Sequence, residues 1–139
     1  MVRSATYALN KNKYLLEPER SRLEHIIKSF MLKNRRDCIL LSLALHTGAR
    51  ATELLEIRRE DINESEKSIL IHGIKGSNDR ELPLSNQNFQ NLMYYLKSVD
   101  EPKVFPISYN RLRQIWQFYR PVHKKFHSLR HTFAIDLYK

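Results

Sequence analysis

The stretch from Asp37 to His46 reads Asp-Cys-Ile-Leu-Leu-Ser-Leu-Ala-Leu-His, apolar on nearly every face a helix could present. Such a helix is stable only when protein surrounds it. Its apolar run, Cys38 to Leu45, is far short of the roughly 20 residues that span a bilayer. The pattern therefore predicts a central buried helix stopped by Thr47-Gly48, glycine being the usual residue just past a helix end. The 139 residues amount to about one domain, long enough to bury a core without disulfides or metal. The single cysteine, Cys38, excludes an internal disulfide and fits a reducing cytoplasm. Within the buried helix it reads as an inert small hydrophobe. No close His/Cys cluster suggests a structural metal, and residues 1–13 hold no apolar core of a secretion signal.

Around that helix the periodicity predicts five more. Glu17-Pro18 opens one, with Leu23, Ile26, Ile27, Phe30 and Met31 at helical spacing. Residues 1–16 read as a polar lead-in, and Lys33 to Arg36 as a polar break. A short third helix begins near Arg50 and carries Leu54, Leu55 and Ile57. Ser85 caps a helix to about Lys97, with Phe89, Leu92, Met93 and Leu96 on one face. Residues 98–106 read as a loop. Ser108 caps a helix bearing Leu112, Ile115, Trp116 and Tyr119. Trp116, Phe118 and Tyr119 look like a base-stacking set, but their helical spacing assigns them to the core. Arg120 to Lys125 is a basic linker, and Ser128 is expected to cap the last helix. Between the third and fourth helices, Ser68 to Ile71 and Glu81 to Leu84 are short apolar stretches flanking a turn, Gly73 to Asp79. They predict a hairpin or a small three-stranded sheet, with Pro83 at an edge or a strand end. The fold class is α+β, mainly α-helical with a small antiparallel sheet.

The charge bears on partners. Twenty-four Lys and Arg against fifteen Asp and Glu give a net +9. Basic domains of this size usually meet a polyanion. Four residues stand in positions suited to one: Arg50 at a helix start, Lys75 in the glycine-flanked turn, and His127 and Arg130 around the start of the last helix. Two arginines from separate segments can grip the oxygens of a phosphodiester with forked hydrogen bonds. A lysine on a hairpin can donate a proton to a leaving alkoxide. A histidine can act as acid or base near neutral pH. His46 and His72 have no partner that the sequence names.

These residues lie in segments that resemble the catalytic domain of the tyrosine recombinases, the lambda-integrase or phage integrase family. Thr47-Gly48-Ala49-Arg50-Ala51-Thr52-Glu53-Leu54-Leu55 is similar to the family's first-arginine motif. Gly73-Ile74-Lys75-Gly76 through Arg80-Glu81-Leu82-Pro83-Leu84 is similar to the hairpin that carries its lysine. His127-Ser128-Leu129-Arg130-His131-Thr132-Phe133-Ala134 is similar to its His-x-x-Arg box. The order and spacing agree over residues 17–139. The resemblance implies cutting and rejoining of duplex DNA without metal or other cofactor, through a tyrosine that forms a 3′-phosphotyrosyl link. It places Arg50, Lys75, His127 and Arg130 in catalytic roles. It also gives Glu53 an accessory one, orienting Arg50 or capping its turn, and makes His131 structural, reaching the strand layer.

The departures set further expectations. The family's second His or Trp and its nucleophilic tyrosine follow the His-x-x-Arg box by more residues than the nine after Arg130. Tyr138, eight residues beyond Arg130, falls where the family has a packing residue. The last helical pattern also runs to Lys139 without a terminating signal. The expected organisation is a lead-in over 1–16 and a C-terminally incomplete integrase catalytic domain over 17–139. On this reading the chain is a cytoplasmic fragment of a phage or mobile-element recombinase. It binds duplex DNA, has no membrane association, and assembles as an oligomer on DNA when full length. The alternative is a naturally truncated, non-catalytic DNA-binding remnant or regulator of an intact integrase.

Overall fold

A computed structural model describes residues 11–137. Tyr138 falls outside the described residues. Two helices consecutive in sequence open the fold, Glu17–Phe30 (α1) and Arg35–Thr47 (α2). Every residue from Cys38 to Leu45 is buried, as the all-round apolarity of the segment requires. Each fully buried leucine there contributes about 1.5–3 kcal/mol. α2 is the axis of the molecule: α1 packs on it, as do Asn86–Leu96 (α4) and Ser128–Asp136 (α6). Between them come the short helix Ala51–Leu55 (α3), a 3-10 turn over Arg59–Asp61, and Tyr109–Tyr119 (α5), which packs against α3.

The sheet is three-stranded and antiparallel in the order Ile62–Asn63 (β1), Ser68–Ile71 (β2), Arg80–Pro83 (β3). Ile69 pairs with Ile62 on one side and Leu82 on the other. Pro83 ends the edge strand β3, where its missing N–H breaks no ladder. The segment expected as a plain loop, 98–106, contributes two fully buried residues, Val104 and Phe105. Val104 N–H donates to Ile57 O at 3.0 Å, which fastens the segment beside the 3-10 turn.

Ser85 and Ser108 cap α4 and α5 as expected, accepting from Asn88 N and Arg111 N at 3.1 Å each. Ser128 does not cap α6. It is the helix's first residue, and its buried hydroxyl has no partner among the described residues. The chain is already coiled on entering this helix. Ser128, Leu129 and Arg130 donate their N–H groups to the carbonyls of Lys125, Phe126 and His127 at 2.9–3.1 Å. The donors that a serine cap would satisfy are taken. Phe118 also departs from expectation. It is 73% exposed, whereas Trp116 and Tyr119 are buried.

The packed chain starts before α1. Leu15 is buried, and its N–H donates to Thr132 Oγ1 at 2.8 Å. Lys124 Nζ donates to Tyr14 O at 2.8 Å and pairs with Glu19 at 2.7 Å. Arg20 pairs with Asp136. These bonds fasten the start of α1 to α6 and to the linker ahead of it, the segment that carries His127 and Arg130.

Candidate functional site

An open groove of about 700 Å³ lies between α3, the β2–β3 turn, α5 and the linker before α6. Arg50, Lys75 and His127 line it, brought together from three segments of the chain. Arg113, Arg120 and Lys125 add charge, Tyr109 and Gln117 add polar groups, and Trp116 and Phe126 give an apolar floor. Among the described residues the lining holds five Lys or Arg, one His, and no Asp or Glu. Such a surface focuses a positive potential.

Arg50 immediately precedes α3. Its guanidinium donates to Ser77 Oγ at 2.6 Å, across to the β2–β3 turn. Glu53, whose side chain is 0% exposed, organises this corner. One carboxylate oxygen accepts the Arg50 N–H at 2.8 Å and Arg80 Nη2 at 2.8 Å. The other accepts Arg80 Nη1 at 3.3 Å and the Ile74 N–H at 3.4 Å. Burial pushes the Glu53 carboxyl upward, but the Arg80 and backbone hydrogen bonds outweigh it and hold the group below its ordinary value. Glu53 is thus an anion that fixes Arg50, Arg80 and the hairpin together.

Lys75 is exposed at the turn. Ser77 N–H donates to Ile74 O at 3.0 Å, closing a four-residue turn whose central residues are Lys75 (φ 51°) and Gly76 (φ 83°). Two positive φ values are the mark of a type I′ turn, the form that matches hairpin twist. A lysine in the left-handed region is uncommon, and here it points a cation from the tip of the hairpin.

His127 precedes α6. Its ring meets His131 edge-on, with centroids 4.7 Å apart. His131, expected to reach the strand layer, has its ring contact with the candidate histidine. Burial lowers the His127 pKa, and the neighbouring His131, Arg130 and Arg50 lower it further. Arg130 is close enough to Arg50 for the two charges to act on one another. Its guanidinium donates to Gly48 O and is not among the groove-lining groups. Trp116 Nε1–H donates to Lys124 O at 2.6 Å, which holds the basic linker on α5 and presents Lys125 and His127 to the groove.

Sequence reasoning did not single out Tyr109, Arg113, Gln117 or Arg120. Their signal was available. Arg113 and Gln117, with Tyr109 ahead of them, repeat every fourth residue beside the apolar stripe of α5, so they share one exposed face next to Trp116.

A profile of the phage integrase family matches residues 13–139. The chain belongs to the phage integrase family. As a tyrosine recombinase catalytic domain it has curated relatives at moderate identity. The tyrosine recombinase of Pseudothermotoga lettingae is 32% identical over 120 residues, which is 78% of this chain and 42% of that protein. Tyrosine recombinase XerA of Pyrococcus horikoshii is 30% identical over 119 residues, 75% of this chain and 41% of that protein. The chain spans less than half the length of these relatives. Among solved structures, XerA recombinase superposes with a TM-score of 0.73 at 23% identity, covering 90% of this chain and 48% of that one. XerH recombinase bound to its difH substrate gives 0.68 at 24% identity, covering 91% and 42%. These likenesses establish the integrase fold.

Proposed function

We propose that the chain is the phosphate-gripping part of a site-specific DNA recombinase, and that duplex DNA lies along its basic groove. The observation that carries this reading is the convergence of Arg50, Lys75 and His127 on one groove lined by cations without a carboxylate. In this reading Arg50 and Arg130 hold the non-bridging oxygens of the scissile phosphate, where negative charge grows during transfer. Ser77 Oγ on the Arg50 guanidinium and Gly48 O on that of Arg130 are the bonds that phosphate oxygens replace. Lys75 protonates the leaving 5′ oxygen. His127, with its lowered pKa, is neutral near physiological pH and able to accept the proton of the attacking hydroxyl. The tyrosine nucleophile comes from outside these 139 residues, no metal or cofactor takes part, and the intact enzyme works as an oligomer on DNA in the cytoplasm.

Binding to a labelled duplex tests the groove. Counterion release gives log K a slope of about −0.9 per phosphate contacted. Six contacts would lose on the order of 10³-fold between about 50 and 200 mM salt. Arg50→Ala is expected to weaken binding by about 1–3 kcal/mol through its charged hydrogen bonds. Arg113→Ala and Lys125→Ala are each expected to flatten the salt slope by about one unit. An affinity that stays flat over this salt range would refute the DNA reading.

A second assay addresses the chemistry. The 139-residue chain is expected to form no denaturant-resistant, protease-sensitive adduct with a nicked suicide duplex. Tyr138 falls where the family has a packing residue, and the family's nucleophilic tyrosine follows the His-x-x-Arg box by more residues than the nine after Arg130. An adduct that disappears in Tyr138→Phe would make the chain a complete recombinase in miniature.

A further inference from the structure

His72 stands where β2 leaves the sheet for the Lys75 turn. Its two ring nitrogens face two carboxylates: Nε2 lies 2.8 Å from Asp61 Oδ1, and Nδ1 lies 3.3 Å from Asp79 Oδ2. A neutral imidazole has one N–H. In either tautomer its other nitrogen would turn a lone pair toward an anionic oxygen. Only the imidazolium donates on both sides. The two carboxylates are themselves held in place. Asp61 is 6% exposed, and its second oxygen accepts the Arg58 N–H at 2.9 Å. The second oxygen of Asp79 accepts the Gly73 N–H at 2.8 Å. Asp79 therefore closes the base of the turn twice, and Lys75 rides on the loop so closed.

We propose that His72, as an imidazolium bridging Asp61 and Asp79, is a positioning residue that locks the base of the Lys75 turn against the 3-10 turn, so that one proton controls how firmly Lys75 is held at the groove. The charged groups facing the ring are Asp61 from the 3-10 turn and Asp79 from the returning limb, with Arg80 of β3 acting on Asp79. The hydrogen bond and charge of Asp61, followed by those of Asp79, hold the imidazole above its ordinary 6.5 despite some desolvation. Because the folded pKa is raised, the lock is complete below the ordinary value and is lost as pH rises through the folded one. The remaining ties of the turn, Ile74 N–H to Glu53 and Arg50 to Ser77, do not depend on this proton. A pH above the folded value therefore loosens the turn while these ties remain. The clamp stands on this geometry alone; its consequence for DNA rests on the function proposed above.

The test is amide ¹⁵N relaxation of Gly73 and Lys75 to Asn78 in the 139-residue chain, read with the His72 ring titration over the same pH series. The expected result is a His72 midpoint above 6.5. Order parameters of the turn should fall in step with it, from near about 0.85 toward about 0.6. Asp79→Asn should lower the midpoint, and His72→Gln should leave the turn loose at every pH. His72→Arg, permanently charged and forked, should keep it ordered through the alkaline range. A His72 that titrates at or below its ordinary value, or a turn whose order ignores that titration, overturns the proposal. Duplex affinity of the wild type and His72→Arg, measured in parallel, separates the two readings. If the turn responds to the proton while affinity does not, the clamp holds and the place of Lys75 at the DNA fails.

Discussion

Glu53→Gln is expected to lower the melting temperature by about 10 °C near neutral pH. The substitution is nearly isosteric, so the loss is electrostatic. It removes the buried anion that binds both arms of the Arg80 guanidinium and sits 3.6 Å from that of Arg50. Three arginines, Arg50, Arg80 and Arg130, then face one another without a counter-charge. Breaking a buried ion pair from one side costs about 3–5 kcal/mol. Arg50 and Arg80 keep partial access to water, which puts the cost near the lower end, about 3 kcal/mol. For a domain of this size that corresponds to about 3–4 °C per kcal/mol. The pH dependence follows from the lowered pKa of Glu53. Its stabilisation is fully present above the ordinary 4.5 and fades as pH falls through the lower folded value. Wild type and Glu53→Gln should therefore converge in acid, where the wild-type carboxyl is itself protonated. Circular-dichroism melts at both ends of this range decide the matter. A variant within about 1 °C of the wild type near neutrality would mean that Glu53 does not organise the corner.

Much of this corner could be read from the sequence, because local rules write it. The glycine stop of α2, the start of α3 at Arg50, and the turn around Lys75 and Gly76 each follow from a few adjacent residues. The serine caps of α4 and α5 worked for the same reason. Ser128 failed because its helix is entered from a chain already coiled by Lys125, Phe126 and His127, and the preference of one residue cannot report that. Phe118 failed because helical spacing marks a stripe without showing how wide the covered strip is. The partners of His72 were illegible for another reason. Asp61 is eleven residues away and Asp79 seven, and the sheet register alone brings them to one ring. His46 is similar, since its Nδ1 is 2.8 Å from Ser42 O on its own helix while Glu24 of α1 approaches the other nitrogen at 4.0 Å. Arg130 shows the same limit at the site itself. Its box was recognisable, but its bond to Gly48 O depends on α2 and α6 packing side by side.

That packing makes Gly48→Ala the second large effect. Gly48 ends α2 at φ +69°, donating its N–H to Ala44 O at 3.2 Å. An added Cβ would stand 2.3 Å from Phe133 Cδ2 and 2.9 Å from Cγ, on the ring that α6 lays over this residue. The left-handed backbone alone costs an L-residue about 1–2 kcal/mol, and relieving an overpacked contact costs about 1–3 kcal/mol more. The sum, about 2–5 kcal/mol, is a large part of what a domain this size has. The strain also has a direction. To clear the methyl group α6 must lift from α2, and it carries Arg130 away from Gly48 O and His127 away from the groove. DNA affinity should fall in the fraction that remains folded, beyond what unfolding accounts for. Gly76→Ala is the control. Its φ is also positive, at +83°, but a methyl group there meets open space, so it should cost only the backbone term. Phe133→Ala in the Gly48→Ala background removes Cγ and Cδ2, the atoms the methyl group meets, and should recover the packing part while leaving the backbone part. Urea unfolding of the wild type and the three variants gives the free energies. Equal costs for Gly48→Ala and Gly76→Ala, with no recovery in the double variant, would show that α6 is not seated on this glycine.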